Sequence, residues 1–273
     1  MDFRPKTIAS IIFAIMIINY TNSKLHYTIE GEGEPIVLLH GFLESAEMWS
    51  DFIPEFSKTH QVICIDLLGH GKTDCLGYVH TMEQMADAVY AVIQSLNIES
   101  AHFIGHSMGG YVCLALADAH PELFIGLCLM NSSFDADDNE RKLIRTRACK
   151  MAQMNYKVLV NMSFANLFTE ESKIKHETKY NEALQLALKT PLQGYIAAQE
   201  GMKLRPNRFE LYKKLKAKKL IIIGKKDGLI NSEQLIDQIK QTDINYVELS
   251  EGHMSSIENK SDLSDNILHF VEK

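Results

Sequence analysis

A glycine-rich segment at residues 105–110 constrains the fold of this chain more than any other feature. It follows the apolar run 101–104 and precedes the apolar run 111–117, so it predicts a sharp turn between a strand and a helix. Glycines two residues before and two residues after Ser107 let the backbone turn without Cβ clashes, which leaves the hydroxyl exposed. The segment therefore predicts a nucleophile at Ser107.

A serine hydroxyl becomes a good nucleophile only when a histidine takes its proton and a carboxylate orients that histidine. The chain supplies both groups beyond predicted strands: Asp227 follows the apolar run 219–224, and His253 follows the run 246–249. The three residues thus occur in the order serine, acid, histidine, at strand ends where ligand crevices form in parallel sheets. We therefore expect Ser107, Asp227 and His253 to be catalytic.

With two further segments, the sequence resembles the α/β-hydrolases, in particular their serine esterase and lipase-like group. Residues 35–42 resemble the family's strand and oxyanion turn, and residues 62–74 resemble its strand and D-x-x-G-H-G-x-[ST] loop. The resemblance implies an α/β fold, built on a mostly parallel twisted sheet with helices on both faces. It also implies that the backbone N–H groups of Phe42 and Met108 form an oxyanion hole.

The alternation of predicted strands and helices favours the same parallel sheet. The chain between the predicted strands 123–130 and 220–223 is too long for a single helix, so we expect residues 134–205 to form a helical cap, or lid, over the site. Residues 16–133 and 206–273 are then the hydrolase core.

The composition limits the possible partners. The chain has 273 residues, 46% of them hydrophobic, which suffices for one large core. Its net charge of −7 argues against a nucleic-acid partner, because such a partner requires a basic surface. Five cysteines without regular spacing fit neither a disulfide framework nor a zinc site, and they favour a reducing compartment. We expect a small-molecule ester substrate, no metal and no organic cofactor; the sequence indicates no oligomeric state.

The N-terminus allows two interpretations. In the first, Arg4 and Lys6 precede the apolar run 8–18 as in a signal peptide, and the run is too short for a stable membrane span. A small-x-small cleavage site, however, does not follow it.

In the second interpretation the folded protein starts at Met16, and residues 17–20 and 24–30 form a hairpin. Residues 1–15 are then an extension without a folded role, and the protein is cytoplasmic. We favour this second interpretation and keep export as the alternative.

The choice of acid and base has alternatives. Asp227 is favoured because glycines bracket it in a tight turn after a very apolar strand. Some hydrolases of this fold instead carry their acid after an earlier strand, which in this chain is the one that ends at Met130. His253 is favoured because it alone follows the last predicted strand. The alternative acids are Asp135, Asp137 and Asp138, and the histidines expected to make structural hydrogen bonds are His40, His70, His102 and His106.

The leading expectation is a serine hydrolase that cleaves small carboxylic esters or thioesters through an acyl-enzyme intermediate. A serine nucleophile argues against epoxide hydrolases and haloalkane dehalogenases, which use aspartate. Carbon–carbon bond hydrolases, a lyase and perhydrolases on the same scaffold also use serine and stay open. A ligand receptor with slow turnover is the alternative from another class, since fold does not determine function.

Overall fold

An eight-stranded sheet forms the centre of the molecule in the computed structural model, which describes residues 14–272. Its spatial order is β1-β2-β4-β3-β5-β6-β7-β8; the two strands at the β1 edge run antiparallel to their neighbours, and all other pairs are parallel. The mostly parallel sheet predicted from the sequence is thereby confirmed. The strands are β1 (Ala14–Tyr20), β2 (Ser23–Glu30), β3 (Glu34–Leu39), β4 (His60–Ile65), β5 (Ala101–His106), β6 (Phe124–Met130), β7 (Lys218–Gly224) and β8 (Asn245–Leu249).

Helices cover both faces of this sheet, as expected. They are α1 (Ile53–Phe56), α2 (Met82–Ser95), α3 (Met108–Ala119), α4 (Asn139–Met154), α5 (Tyr156–Ala165), α6 (Glu170–Lys175), α7 (Glu177–Ala187), α8 (Leu192–Leu204), α9 (Phe209–Lys214), α10 (Ser232–Ile239), α11 (Ser255–Glu258) and α12 (Lys260–Glu272).

The central strands are apolar on both sides because each side faces a layer of helices. In β3, Val37 and Leu39 join the core cluster that contains α2 and α3, whereas Ile36 and Leu38 join the cluster that contains α12. The parallel direction of the strands places the carboxyl ends of β3, β5, β7 and β8 at one edge of the sheet, where the loops that follow them can meet.

Between β6 and β7 the chain forms a helical insertion. Its helices α4 to α8 lie inside the predicted cap boundaries 134–205, which stay a prediction. A third apolar cluster joins these helices to the loops that follow β3 and β8, through contacts of Phe164 and Tyr195 with Leu43 and Met254. The insertion therefore packs over the carboxyl ends of the strands.

The N-terminal hairpin begins earlier than the sequence suggests. Strand β1 starts at Ala14 and pairs with β2 up to Ile29, because the partner strand offers backbone groups that far. The expectation that residues 1–15 have no folded role therefore does not hold for residues 14 and 15. The rest of that segment lies outside the described residues. Within residues 14–272, every helix falls short of the length and apolar character that a bilayer span requires.

Candidate active site

Ser107 occupies a strained turn between β5 and α3. Its φ is 48° and its ψ is −112°, a conformation that residues other than glycine rarely adopt and that costs about 1–3 kcal/mol. The turn is held by hydrogen bonds from the Ser107 N–H to the Met130 carbonyl, at 2.9 Å, and from the Ser132 hydroxyl to the Ser107 carbonyl, at 2.7 Å. A Cβ on Gly105 would lie 2.5 Å from the Gly109 backbone, so this close approach requires glycine.

The structure brings Ser107, His253 and Asp227 together. The His253 Nε2 atom lies 3.0 Å from Ser107 Oγ, and its Nδ1 atom lies 2.8 Å from Asp227 Oδ2. A carboxylate can only accept a hydrogen bond, so Nδ1 of the neutral imidazole must carry the proton that it donates to Asp227. The Nε2 atom is then unprotonated and can accept the serine proton. The three side chains follow three different strands, β5, β7 and β8, so their meeting depends on the parallel sheet.

Asp227 is held as a carboxylate. Its Oδ1 accepts the backbone N–H groups of Leu229, at 2.8 Å, and Ile230, at 3.1 Å. Burial alone would raise the pKa of Asp227, but the charge and hydrogen bond of His253 and these backbone donors outweigh it and hold the pKa below its ordinary value. Asn131 also donates to Asp227 Oδ2, at 3.2 Å, and to the Gly252 carbonyl, at 3.1 Å, so it links the loops of the acid and the base. The sequence carried no motif that indicated this role for Asn131.

Two backbone N–H groups belong to residues beside this site: Phe42 is in the loop after β3, and Met108 directly follows Ser107. The hydrogen bonds of the described residues leave the N–H groups of Phe42 and Met108 without an acceptor. Met108 is the first residue of α3, where backbone N–H groups have no intrahelical partner and the helix dipole is positive. The expectation that these two N–H groups form an oxyanion hole stays a prediction.

A second buried acid–histidine pair, Glu44 and His106, adjoins the first. The Glu44 Oε2 atom lies 2.6 Å from His106 Nδ1 and accepts the Gly41 N–H at 2.6 Å, while His106 Nε2 lies 3.0 Å from the His253 carbonyl. Both ring nitrogens of His106 thus face acceptors, which favours the imidazolium. Burial lowers the pKa of His106, but the Glu44 charge outweighs it and raises this pKa above its ordinary value. The pair connects the turn of Phe42 to the backbone of His253.

Removing this carboxylate should destabilise the protein. We expect Glu44→Ala to lower the free energy of unfolding by about 3–5 kcal/mol, because His106 and the Gly41 N–H lose their buried acceptor. Urea unfolding followed by circular dichroism measures the change. The exposed neighbour Glu47 provides a matched control, and Glu47→Ala should change the stability by less than about 0.5 kcal/mol. A loss below about 1 kcal/mol for Glu44→Ala would show that the pair is not needed to hold the turn.

The alternative acids bind partners other than His253. Asp137 is paired with the guanidinium groups of Arg145 and Arg205, Asp138 accepts a backbone N–H at the start of α4, and Asp135 accepts from an asparagine amide. All hydrogen bonds of these carboxylates are to groups other than His253. Asp227 is thus the carboxylate that the structure places at the histidine.

The other histidines make hydrogen bonds within the core. His40 accepts the Leu67 N–H at Nε2, at 2.9 Å, and its Nδ1 lies 2.7 Å from the Gly41 carbonyl. His102 lies 2.9 Å from Glu34 across neighbouring strands. Burial lowers the pKa of His70 to about 3, so this residue is neutral at physiological pH. These hydrogen bonds join neighbouring loops and strands of the core.

A cavity of about 260 Å³ opens above Ser107 and His253. Its walls combine core residues with side chains from α4, α5 and α8 of the insertion, among them Ile144, Ala148 and Tyr195. A cleft of about 730 Å³ lies next to it and shares Leu43 and Glu44, but it contains neither Ser107 nor His253. The smaller cavity is the one that a reacting group must enter. Within residues 14–272, His, Cys, Asp and Glu side chains form no group of three placed to hold a metal ion.

Comparisons with known proteins agree with this arrangement. A family model described as alpha/beta hydrolase fold matches residues 34–260. An (E)-2-((N-methylformamido)methylene)succinate hydrolase from Acinetobacter baylyi is 32% identical over 132 residues, which is 48% of this chain and half (50%) of that relative's length. A 2-hydroxy-6-oxo-6-(2'-aminophenyl)hexa-2,4-dienoic acid hydrolase from Metapseudomonas resinovorans is 26% identical, with 94% of this chain and 90% of the relative covered.

Solved structures show the same likeness over nearly the whole chain. A thermophilic esterase from Thermogutta terrifontis superimposes with a TM-score of 0.86 at 25% identity, covering 95% of this chain and 98% of the esterase. Because the family model matches most of the sequence and the fold agrees, this chain belongs to the alpha/beta hydrolase fold family.

Proposed function

We propose that this protein is a serine hydrolase that cleaves small carboxylic esters or thioesters through an acyl-enzyme intermediate. The observation that carries the proposal is the hydrogen-bonded series from Ser107 Oγ through the His253 ring to Asp227, at 3.0 and 2.8 Å, at the floor of a cavity. In this proposal Ser107 is the nucleophile, His253 the general base and Asp227 the group that fixes the imidazole tautomer.

The reaction follows from these positions. Ser107 Oγ attacks the ester carbonyl carbon while His253 Nε2 takes the hydroxyl proton, and Asp227 stabilises the imidazolium that forms. The carbonyl oxygen becomes an oxyanion that accepts from the Phe42 and Met108 N–H groups. His253 then donates its proton to the leaving alcohol or thiol, which leaves an acyl group on Ser107. Water, deprotonated by His253, attacks this acyl group, and His253 returns the proton to Ser107 Oγ as the bond to the acyl group breaks and the acid leaves.

The size of the cavity supports a small substrate. About 260 Å³ accommodates a short acyl or alcohol group but not a long lipid chain in extended form. Helices α4 and α8 add apolar side chains such as Ile144 and Met202 to the wall, so the insertion would act as a lid that selects the substrate by shape. A related esterase from Thermogutta terrifontis supports the ester-cleaving assignment, since it matches this chain over nearly its full length.

The second candidate reaction is carbon–carbon bond hydrolysis, which also uses a serine nucleophile on this scaffold. The relative from Metapseudomonas resinovorans, a hydrolase of a hydroxy-oxo-dienoic acid, favours it. We rank ester cleavage first because a base at His253 and the two proposed oxyanion donors would be sufficient for acyl transfer, and because the esterase from Thermogutta terrifontis matches nearly the whole chain.

Burst kinetics test the proposed function. We expect the purified protein to release 4-nitrophenol from 4-nitrophenyl acetate, butyrate and hexanoate, with an initial burst equal to the enzyme concentration where deacylation is slow. Turnover of a 2-hydroxy-6-oxo-dienoic acid with no ester turnover would establish the second candidate instead. A single burst without further turnover would favour a slow ligand receptor.

A further inference from the structure

The cavity above Ser107 carries more positive than negative charge. Its lining includes the guanidinium groups of Arg141 and Arg145, both on α4 of the insertion. The carboxylate in the lining is Glu44, and its charge is already matched by His106. A cationic wall of this kind contrasts with the net charge of −7 of the whole chain.

The two arginines differ in what neutralises them. Arg145 is held against Asp137, at 2.5 Å from Nε to Oδ2, and its Nη1 donates to Gln199 at 2.9 Å. Asp137 has no exposed side-chain surface and also pairs with Arg205, at 2.7 Å. The positive charge of Arg145 is therefore already matched by a buried carboxylate within the insertion.

In the described part of the chain, Arg141 lacks such a partner. Among residues 14–272, its guanidinium has no carboxylate oxygen within 4.0 Å; Asp138, three residues earlier, accepts the Arg141 backbone N–H instead. The Nη2 atom donates to the Leu229 carbonyl at 2.8 Å, which fixes the guanidinium at the edge of the loop that carries Asp227. The other N–H groups of this planar fork stay available to a ligand.

We propose that Arg141 binds a carboxylate of the substrate, so that the preferred esters are those that carry an anionic group on the acyl side. The inference rests on the proposed function, since it assigns a substrate class to the same cavity. A guanidinium suits this task because its paired N–H groups match the two oxygens of a carboxylate, and partial shielding from water in the cavity strengthens the charged hydrogen bond. The negative charge of the substrate would then neutralise the positive charge of Arg141.

Matched ester pairs test this proposal. The pairs are monoethyl succinate with ethyl butyrate, monoethyl glutarate with ethyl pentanoate, and monoethyl adipate with ethyl hexanoate, so that each pair exchanges a terminal methyl group for a carboxylate. Ethanol release gives kcat/KM for each ester. We expect the wild-type protein to prefer the anionic member of at least one pair by about tenfold or more. Arg141→Gln should reduce that preference by about 10- to 100-fold, the range that a charged hydrogen bond supplies.

The matched control is Arg147→Gln. Arg147 lies on the same helix, is exposed and does not line the cavity, so its removal lowers the net charge equally and should leave the preference unchanged. If Arg141 only ties α4 to the Leu229 loop, Arg141→Gln will slow both members of each pair equally, which would overturn the proposal. A wild-type protein that hydrolyses the neutral esters without preference would also overturn it, while the proposed function would stand.

Binding without turnover separates the two proposals. In a Ser107→Ala background, calorimetry with the three monoethyl esters should detect binding that Arg141→Gln weakens by about tenfold or more. If neither member of any pair is hydrolysed, the proposed function fails, and this titration still decides the role of Arg141. Equal affinity with and without the guanidinium would contradict it.

Discussion

Replacing Ser107 with alanine is expected to lower kcat for ester hydrolysis by about 10³- to 10⁶-fold, because the covalent step disappears while the oxyanion donors and the cavity persist. Initial rates with 4-nitrophenyl butyrate measure the loss. Far-UV circular dichroism and urea unfolding should show a folded protein of about equal stability, since alanine keeps the Cβ and therefore the same backbone strain at a φ of 48°.

The control for this substitution is Ser95→Ala on the exposed surface of α2, which should leave kcat unchanged. A Ser107→Ala variant that retains more than about a tenth of the wild-type rate would remove Ser107 from the mechanism. The activity would then have to come from another group in the cavity.

Asp227→Asn is expected to lower kcat by about 10⁴-fold. The asparagine amide would present N–H groups to His253 Nδ1, which stabilises the tautomer with its proton on Nε2, and that nitrogen could no longer accept the serine proton. The loss should fall on kcat rather than on KM, since Asp227 lies behind the histidine and outside the cavity lining.

Asp135→Asn is the matched comparison, because Asp135 was an alternative acid and accepts from Asn207 in the structure. It should change kcat by less than about threefold. The reverse ranking of the two variants would move the acid to the loop after β6.

Local patterns allowed much of the site to be predicted from the sequence. The turn at Ser107 is encoded by neighbouring glycines, and Asp227 and His253 each follow a strand that is recognisable by its apolar run. Parallel pairing then makes their meeting a consequence of topology, since strands in one parallel sheet end at one edge. The alternation of predicted strands and helices likewise indicated a parallel sheet.

Contacts between residues that no motif marks could not be predicted. Glu44 and His106 are 62 residues apart, and the pattern around each gives no sign of the other. Asn131 joins two loops from the end of β6, and Arg141 faces the cavity only because α4 folds back over the sheet. The start of β1 was misplaced for a related reason, because the length of a hairpin depends on its partner strand.

The central claim is that Ser107 is an activated nucleophile, and covalent labelling tests it most directly. The native protein would be treated with a fluorophosphonate probe, digested and sequenced by mass spectrometry, with and without prior incubation with a short ester. We expect one adduct per chain, on Ser107, whose formation slows when the ester competes and disappears in Ser107→Ala. An adduct on another serine, or an unlabelled Ser107 in a folded protein, would contradict the account.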